Sequence, residues 1–254
     1  MGTFAHLHVH TEYSLLDGSA RIKNLIRSAK EKGFEEIAIT DHGVMYGVVD
    51  FYKEAQKEGI RPVIGCEVYV AQRTMQDKEA RKDQNQYHLV LLAENNTGYR
   101  NLVYIVSCAF IDGFYYKPRV DAQLLAEHSE GIIALSACLA GEIPTFIMEG
   151  DYKKAKETAL KYNEIFGQGN FYLELQDHGI QEQGPVNEAL LQISKETGIP
   201  LVATNDVHYV EREDAAAHDV LLCIQTGKTL QDENRMRFAT DQFYLKTEEE
   251  MRRL

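Results

Sequence analysis

The sequence of 254 residues lacks the segments that would place a protein in or across a membrane. It contains no apolar run near the roughly eighteen residues that a membrane-spanning helix needs. Its first residues also lack the basic and then apolar pattern of a secretory signal peptide. We therefore expect a cytoplasmic protein with no membrane partner.

Cysteines are few, and basic residues are outnumbered by acidic ones. The four cysteines lie in apolar or strand-like stretches without close pairing, which predicts reduced thiols rather than disulfides. Lys and Arg number 27 against 39 Asp and Glu, a net charge of −12, which argues against a free-standing nucleic-acid-binding protein. A phosphate-processing site stays open, because acidic ligands loaded with divalent cations form a locally positive site.

Internal repeats, low-complexity segments and Pro/Gly-rich linkers are also missing, and short apolar runs alternate with segments of helical period. Repeated βα units of this kind predict a parallel sheet with helices outside it, either doubly wound or closed into a barrel. The segment 72–86 is predicted to be a solvated loop. The strand candidates are 4–10, 36–40, 62–70, 87–93, 131–136, 171–175 and 200–204, and the helix candidates are 21–32, 46–58, 98–109, 121–128, 151–166 and 184–197.

Histidines in a row near the start of the chain carry the first chemical signal. In a strand at 4–10 the side chains alternate, so His6, His8 and His10 share one face. Neutral imidazole is the commonest protein ligand of zinc-like ions. Near the other end of the chain an apolar strand is followed by the pair Asp206 and His208. Together the two stretches are typical of one metal site.

The positions of these residues favour a closed barrel over an open sheet. In a barrel all strand ends meet at one mouth, so residues of the first and last units lie together. We therefore predict a (β/α)7 barrel, a distorted TIM-like fold, with a metal site at the C-terminal mouth of the strands. The residues that fall at or just after strands one, two and seven are His8, His10, Asp41, His42, Asp206 and His208.

Other metal-competent residues are ambiguous from their position alone. Glu67 lies in an apolar run, where it is equally well a buried ion-pair partner or a ligand. His88 begins a strand instead of ending it, Cys138 suits a small buried hydrophobe, and Asp17 suits a cap or turn. His178 follows the sixth strand and is a candidate for substrate contact.

The remaining histidines and the end of the chain suggest structural roles. His6 lies deeper than its neighbours, and His128 and His218 fall on helix patterns. We predict a barrel domain over 1–210 and a helical extension over 211–254. The last helix begins with a capping signature and stops after two turns, which favours a piece of a longer protein.

Taken together, these motifs resemble the polymerase-and-histidinol-phosphatase (PHP) family over essentially the whole chain. The stretches 112–119 (DGFYYKPR) and 217–228 are more narrowly similar to the N-terminal domain of bacterial replicative DNA polymerases, the polymerase III α subunits. The resemblance implies a (β/α)7 barrel with a trinuclear metal centre. The motifs that carry it are His8-x-His10 with 14–18, 39–43, 65–67, His88, 135–141 and 205–208.

The resemblance also implies nine metal ligands and overrides the structural interpretations of His88, Cys138 and Asp17. One ion is expected on His8, His10, Glu67 and Asp206, with Glu67 bridging to a second on His88 and Cys138, and a third is expected on Asp17, His42 and His208. Asp206 and His208 are also expected to assist proton transfer. Lys117, Arg119 and His178 are expected to contact substrate.

The implied activity is metal-dependent phosphoester hydrolysis, in a polymerase a 3′→5′ exonuclease acting on the primer end of DNA. The partners are then DNA, the remaining domains of a DNA-directed DNA polymerase and, in one alternative, a separate proofreading subunit. His and Cys ligands suit two to three zinc, manganese or iron ions better than magnesium. Two alternatives stay open: a metal-stabilised structural module of the polymerase without catalysis, and a small-molecule phosphatase of the histidinol-phosphate type.

Overall fold

The computed structural model describes residues 4–254 and shows seven strands and nine α-helices in that range. The strands are β1 Glu36–Ile39, β2 Arg61–Ala71, β3 Gln86–Ala93, β4 Arg119–Val120, β5 Ile132–Leu135, β6 Phe171–Leu175 and β7 Leu201–Ala203. The helices are α1 Ile22–Glu31, α2 Val48–Glu58, α3 Asn96–Ile111, α4 Ala122–Glu127, α5 Glu142–Met148, α6 Tyr152–Phe166, α7 Gln183–Thr197, α8 Ala215–Thr226 and α9 Glu248–Met251.

The strands form one strongly curled sheet that corresponds to the predicted (β/α)7 barrel. Its order is β1-β2-β3-β5-β6-β7, and the short β4 pairs with β2. The N-terminal segment, predicted as a regular strand at 4–10, makes isolated bridges instead. It pairs His6 with Ile37 of β1 and Val9 with Val207 beyond β7, and thereby connects the two edges of the sheet.

One strand corrects the expectation of an all-parallel sheet. β3 runs antiparallel to both of its neighbours, β2 and β5, whereas β1, β6 and β7 pair in parallel. The connection 72–85 between β2 and β3 contains no helix, and an antiparallel pair can be joined without the crossover that a parallel pair requires. The first residues of β3 therefore lie at the same end of the barrel as the last residues of the other strands.

The hydrophobic core has three parts. A small cluster is formed by side chains of β1, β3 and β5, namely Ala38, Val90, Leu92 and Leu135, together with Ala137 just after β5. Larger clusters lie between the sheet and the outer helices, one against α1 and α2 and one against α3 to α7. Of the described helices, none is both long and apolar enough to cross a membrane.

Two further segments bear on the sequence predictions. Helix α5 has no counterpart among the predicted helices, and the capping box predicted at Thr247 is present with Glu250. The C-terminal segment packs on the barrel. Tyr244 forms a β-bridge with Tyr209, and the buried Leu245 belongs to the hydrophobic cluster beneath α1 and α2. The division at residue 210 stays a prediction.

Candidate metal centre

The fold brings all nine predicted ligands to one mouth of the barrel. Glu67 of β2 lies at their centre: its two carboxylate oxygens lie 2.6 Å from His42 Nδ1, 2.9 Å from His88 Nδ1, 3.3 Å from His8 Nε2 and 3.4 Å from His10 Nε2. His88 reaches this point because β3 is reversed, so a histidine that begins its strand faces the mouth. This explains why its position in the sequence did not indicate a site.

Asp206 forms a second focus beside Glu67. Its Oδ1 lies 3.2 Å from His8 Nε2, 3.2 Å from His10 Nε2 and 3.6 Å from His208 Nδ1. Three side chains, those of His8, His10 and Asp206, offer ligand atoms that all lie within 4.8 Å of one another. This spacing suits ligands arranged around one cation.

The remaining ligands extend the cluster on both sides. On one side, Asp17 Oδ2 lies 3.1 Å from His42 Nε2, and Asp17 Oδ1 lies 3.9 Å from His208 Nε2. On the other side, Cys138 Sγ lies 3.8 Å from His88 Nδ1. The division of the nine residues among three ions stays a prediction, and the distances are compatible with it.

The buried polar atoms of this cluster show that the residues fit divalent cations. Seven of them have no hydrogen-bond partner within the described part of the chain, although buried polar atoms of proteins nearly always have one. Several such donors and acceptors that point at one another form a ligand set for cations rather than a hydrogen-bonded network. The unpartnered atoms at the mouth are His8 Nε2, His10 Nε2, Asp17 Oδ1, His42 Nδ1, Glu67 Oε2, Asp206 Oδ1 and His218 Nε2.

Residues behind the cluster orient the first two imidazoles. His8 Nδ1 donates to Glu174 Oε1 at 2.7 Å, and His10 Nδ1 donates to Ser14 Oγ at 3.0 Å. Ser14 accepts this bond because its own hydroxyl donates to Asp41 Oδ1 at 2.7 Å. With an ion bound, both imidazoles would therefore keep their proton on Nδ1 and turn the lone pair of Nε2 toward the mouth.

The same arrangement clarifies two other residues. His208 Nδ1 donates to the carbonyl of Asp206 at 2.8 Å, which leaves His208 Nε2 free on the side of Asp17. Asp41, which follows β1 like the predicted ligand His42, accepts from the backbone N–H and hydroxyl of Thr11. Asp41 therefore holds the loop after His10 and is directed away from the ligands.

Burial and mutual charge shift the ionisation of the cluster. Burial alone would raise the pKa of Glu67, but the surrounding imidazoles, His88 foremost, hold that pKa well below its usual range. Burial alone would lower the pKa of His42, but Glu67 raises it to about 10. Burial and neighbouring carboxylates raise the pKa of the Cys138 thiol. Divalent cations would displace the imidazole protons and stabilise the thiolate.

The three predicted substrate contacts lie in different environments. Lys117 is exposed, and its ammonium lies 5.3 Å from the ring centre of Tyr69, whose ring contacts His42 and His88. Arg119 is fully buried and donates to the carbonyls of Gly113, Met75, Asp77 and Asp83. The prediction that Arg119 contacts substrate does not fit this position, because the side chain anchors loops.

His178 also differs from its prediction. It is buried, its Nε2 donates to the carbonyl of Asn205 at 2.9 Å, and its Nδ1 accepts from Gln183 at 2.8 Å. Its ring stacks on Phe243 at 3.9 Å. With both nitrogens engaged, His178 supports the backbone before Asp206 instead of facing a substrate.

Two residues of the site were not predicted from the sequence. Glu174 is a buried carboxylate in an apolar strand, the signal that singled out Glu67, and it could have been found in the same way. His218 lies on α8, as its helical pattern indicates, but its Nε2 lies 3.7 Å from Asp17 Oδ1. Only the packing of α8 on the mouth reveals that proximity.

We expect two or three transition-metal ions per chain, and we expect chelation to lower thermal stability. An ion that binds only the folded chain adds about 2.7 kcal/mol at a free concentration of 100 Kd. Elemental analysis after chelator-free purification, followed by thermal unfolding with and without chelator, measures both quantities. One ion or none per chain, or an unchanged Tm, would contradict the assignment of this cluster.

Replacing Glu174 by Gln should lower metal affinity by about 10- to 100-fold without unfolding the barrel, because the amide oxygen still accepts from His8 but no longer carries charge. Titration of the metal-free chain with manganese or zinc measures the change. Glu157→Gln on the exposed face of α6 is the matched control. Equal affinities of the two variants would show that Glu174 does not tune the site.

Comparison with known proteins agrees with this description. The chain matches the family model of the PHP domain over residues 6–178. It is 51% identical to the DNA polymerase III subunit alpha of Treponema pallidum, an alignment that covers 99% of this chain and 22% of that protein. It is 48% identical to the corresponding subunit of Thermus aquaticus, over 98% of this chain and 21% of that protein. The chain thus spans about a fifth of the length of these relatives.

Solved structures share the fold at low sequence identity. A protein of Bifidobacterium adolescentis, proposed to be a metal-dependent phosphoesterase, superposes with a TM-score of 0.51 at 13% identity, over 82% of this chain and 88% of that one. An amidohydrolase of Chromobacterium violaceum gives 0.52 at 14% identity, over 81% and 87%. The chain therefore belongs to the PHP domain family and is similar to the N-terminal part of DNA polymerase III α subunits.

Proposed function

We propose that this chain is a metal-dependent phosphoesterase that removes nucleotides from the 3′ end of DNA as part of a replicative polymerase. The observation that carries the proposal is the position of Glu67, whose carboxylate lies within 3.4 Å of nitrogens from four imidazoles. The family membership and the polymerase relatives support a primer end as the substrate and the remaining polymerase domains as the partners.

The nine predicted ligands would hold the ions, and His and Cys among them favour zinc, manganese or iron. When bound, such ions lower the pKa of a coordinated water and neutralise the charge that develops on phosphate. Glu174 and Ser14 orient His8 and His10 for this task. We assign proton transfer to Asp206 or to His208. Asp206 keeps a second carboxylate oxygen for this when one oxygen binds an ion, whereas His208 can serve only while its Nε2 binds no ion, because its Nδ1–H is bound to a backbone carbonyl.

A structural role for the metals is the second candidate. His8 and His10 are fully buried, as expected for ions that brace a fold or a docking face for a proofreading subunit. A small-molecule phosphatase is less well supported, because the chain matches polymerase subunits over nearly its whole length. If the metal-loaded chain hydrolyses DNA, the metals are catalytic. If it holds the metals but does not hydrolyse DNA, their role is structural.

Replacing Asp206 or His208 by Ala should lower the rate of hydrolysis of a labelled single strand about 100-fold or more, while the barrel stays folded. Both residues lie at the mouth and not in the apolar core, so the stability cost should come mainly from lost metal. Asp177→Ala, an exposed carboxylate after β6, is the control. Full activity of either variant at unchanged metal content would show that the site is misplaced.

The isolated chain should bind DNA weakly and with strong dependence on salt, because a net charge of −12 leaves few cations for phosphates. A full-length α subunit carrying this domain should bind long DNA much more tightly, yet hydrolyse small phosphoesters about equally well. Salt titrations of single-strand affinity for both proteins test this division of labour. Equal affinity at physiological salt would refute it.

A further inference from the structure

Backbone strain in this chain concentrates at the mouth. Five non-glycine residues of the described range adopt a left-handed φ, and three of them belong to the metal centre or precede a predicted ligand. They are Leu16 before Asp17, Ala137 before Cys138, and Asp206 itself, with φ of 61°, 62° and 45°. Such conformations are unfavourable for residues that carry a Cβ and persist where the surroundings enforce them. Strain therefore marks the functional end of this barrel.

Tyr116, with φ of 61°, is the fourth of these residues and lies in the turn between α3 and β4. A bulky aromatic residue rarely adopts this conformation. Tyr116 is 63% exposed, so burial does not compensate the strain. Its ring lies edge to face with that of Tyr115, with the ring centres 4.6 Å apart, and its hydroxyl accepts from Gln84 Nε2 at 3.5 Å.

The neighbouring backbone enforces this conformation. Tyr115 N–H donates to the carbonyl of Lys117 at 3.0 Å, which closes a tight turn around Tyr116. Gly113 lies so close to Arg119 that a Cβ there would meet the Arg119 carbonyl oxygen at 1.9 Å. The buried Arg119 guanidinium then ties this turn to the 75–83 loop. These contacts hold the backbone of the turn from which the two exposed side chains, Tyr116 and Lys117, extend.

The turn lies directly beside the metal centre. The Lys117 ammonium lies over the ring of Tyr69, and that ring lies 6.1 Å from the ring of His42, nearly parallel to it, and 5.3 Å from the ring of His88. One aromatic ring therefore lies between the Lys117 ammonium and two predicted ligands. The exposed Tyr116 precedes Lys117 in the same turn.

We propose that Tyr116 and Lys117 form the subsite for the 3′-terminal nucleotides of single-stranded DNA. Tyr116 stacks on a nucleobase, and Lys117 pairs with the phosphate next to the one that is cleaved. Every base offers a flat face, so such stacking is independent of sequence. The proposal rests on the proposed function, because it requires a nucleic-acid substrate at these metals.

Another polymerase domain covering the same surface is the competing occupant. Other exposed aromatic rings lie near the turn, since Phe110 and Phe114 lie 6.3 Å apart. The observations favour DNA because Lys117 places a cation one aromatic ring away from two predicted ligands, where it can pair with a phosphate next to the metals.

Direct binding to the manganese-loaded chain tests the subsite. The probe is a short fluorescent single strand with phosphorothioate linkages at its 3′ end to slow hydrolysis, in a series that lacks one terminal base at a time. Tyr116→Gly should weaken binding about tenfold, within the range for loss of one stacked base. Tyr116→Phe should stay within about twofold of wild type. Removing the stacked base from the strand should abolish the difference between wild type and Tyr116→Gly.

The same variants separate a binding role from a structural one. Glycine adopts a left-handed φ freely, so Tyr116→Gly should leave Tm unchanged or raise it. Lys117→Gln should reduce the slope of log affinity against log salt by about 0.7, the value for one phosphate of a single strand, whereas Tyr116→Gly should leave the slope unchanged. Tyr104→Ala, on the exposed face of α3, is the control and should change neither affinity nor slope.

Several outcomes would overturn the proposal. If Tyr116→Gly binds DNA as tightly as wild type, Tyr116 does not bind DNA and the surface is assigned to a protein partner. An equal loss of affinity with every strand of the series would exclude stacking, and a lowered Tm would assign the ring to folding. If the wild-type chain hydrolyses no phosphoester, the proposed activity fails, but the binding series still decides whether this subsite exists.

Discussion

Buried carboxylates facing unpaired imidazole nitrogens are the interaction on which the rest of this structure depends. Glu67 and Asp206 are removed from solvent almost completely, and burying such charges costs several kcal/mol unless partners compensate. Several of the nearest imidazole nitrogens have no hydrogen-bond partner in the part of the chain that the structure describes. Bound cations would compensate the carboxylates without protonated imidazoles, so metal binding and folding stability should be linked at this mouth.

The barrel is built to deliver these atoms to one point. The segment 6–10 bridges both edges of the curled sheet and carries His8 and His10 between β1 and β7. The reversal of β3 brings His88 to the same end. Behind the ligands, Glu174 and the Ser14–Asp41 pair form hydrogen bonds that orient the imidazoles of His8 and His10. Residues with a left-handed φ lie in the loops that carry Asp17, Cys138 and Asp206. The fold thus provides the orientation that the ligand types alone cannot.

Much of the fold was predictable, because alternating strands and helices and the ligands after the first, second and seventh strands indicate a closed barrel. The reversal of β3 was missed, although the loop predicted over 72–86 contains no helix and a connection of this kind permits antiparallel pairing. Position alone left Glu67 undecided and favoured structural roles for His88, Cys138 and Asp17, and only the family resemblance predicted them to be ligands. Arg119 and His178 looked like substrate contacts because sequence does not reveal which polar side chains backbone carbonyls will engage.

Crystals of the metal-loaded chain, with anomalous diffraction recorded at the absorption edges of zinc, manganese and iron, test the central claim most directly. The account predicts anomalous peaks at the barrel mouth, the first of them about 2.0–2.2 Å from His8 Nε2, His10 Nε2 and oxygens of Glu67 and Asp206. It also predicts that Glu174 and Ser14 keep their bonds to the two imidazoles. Peaks confined to the outer surface, or a mouth in which these side chains turn away from one another, would contradict it.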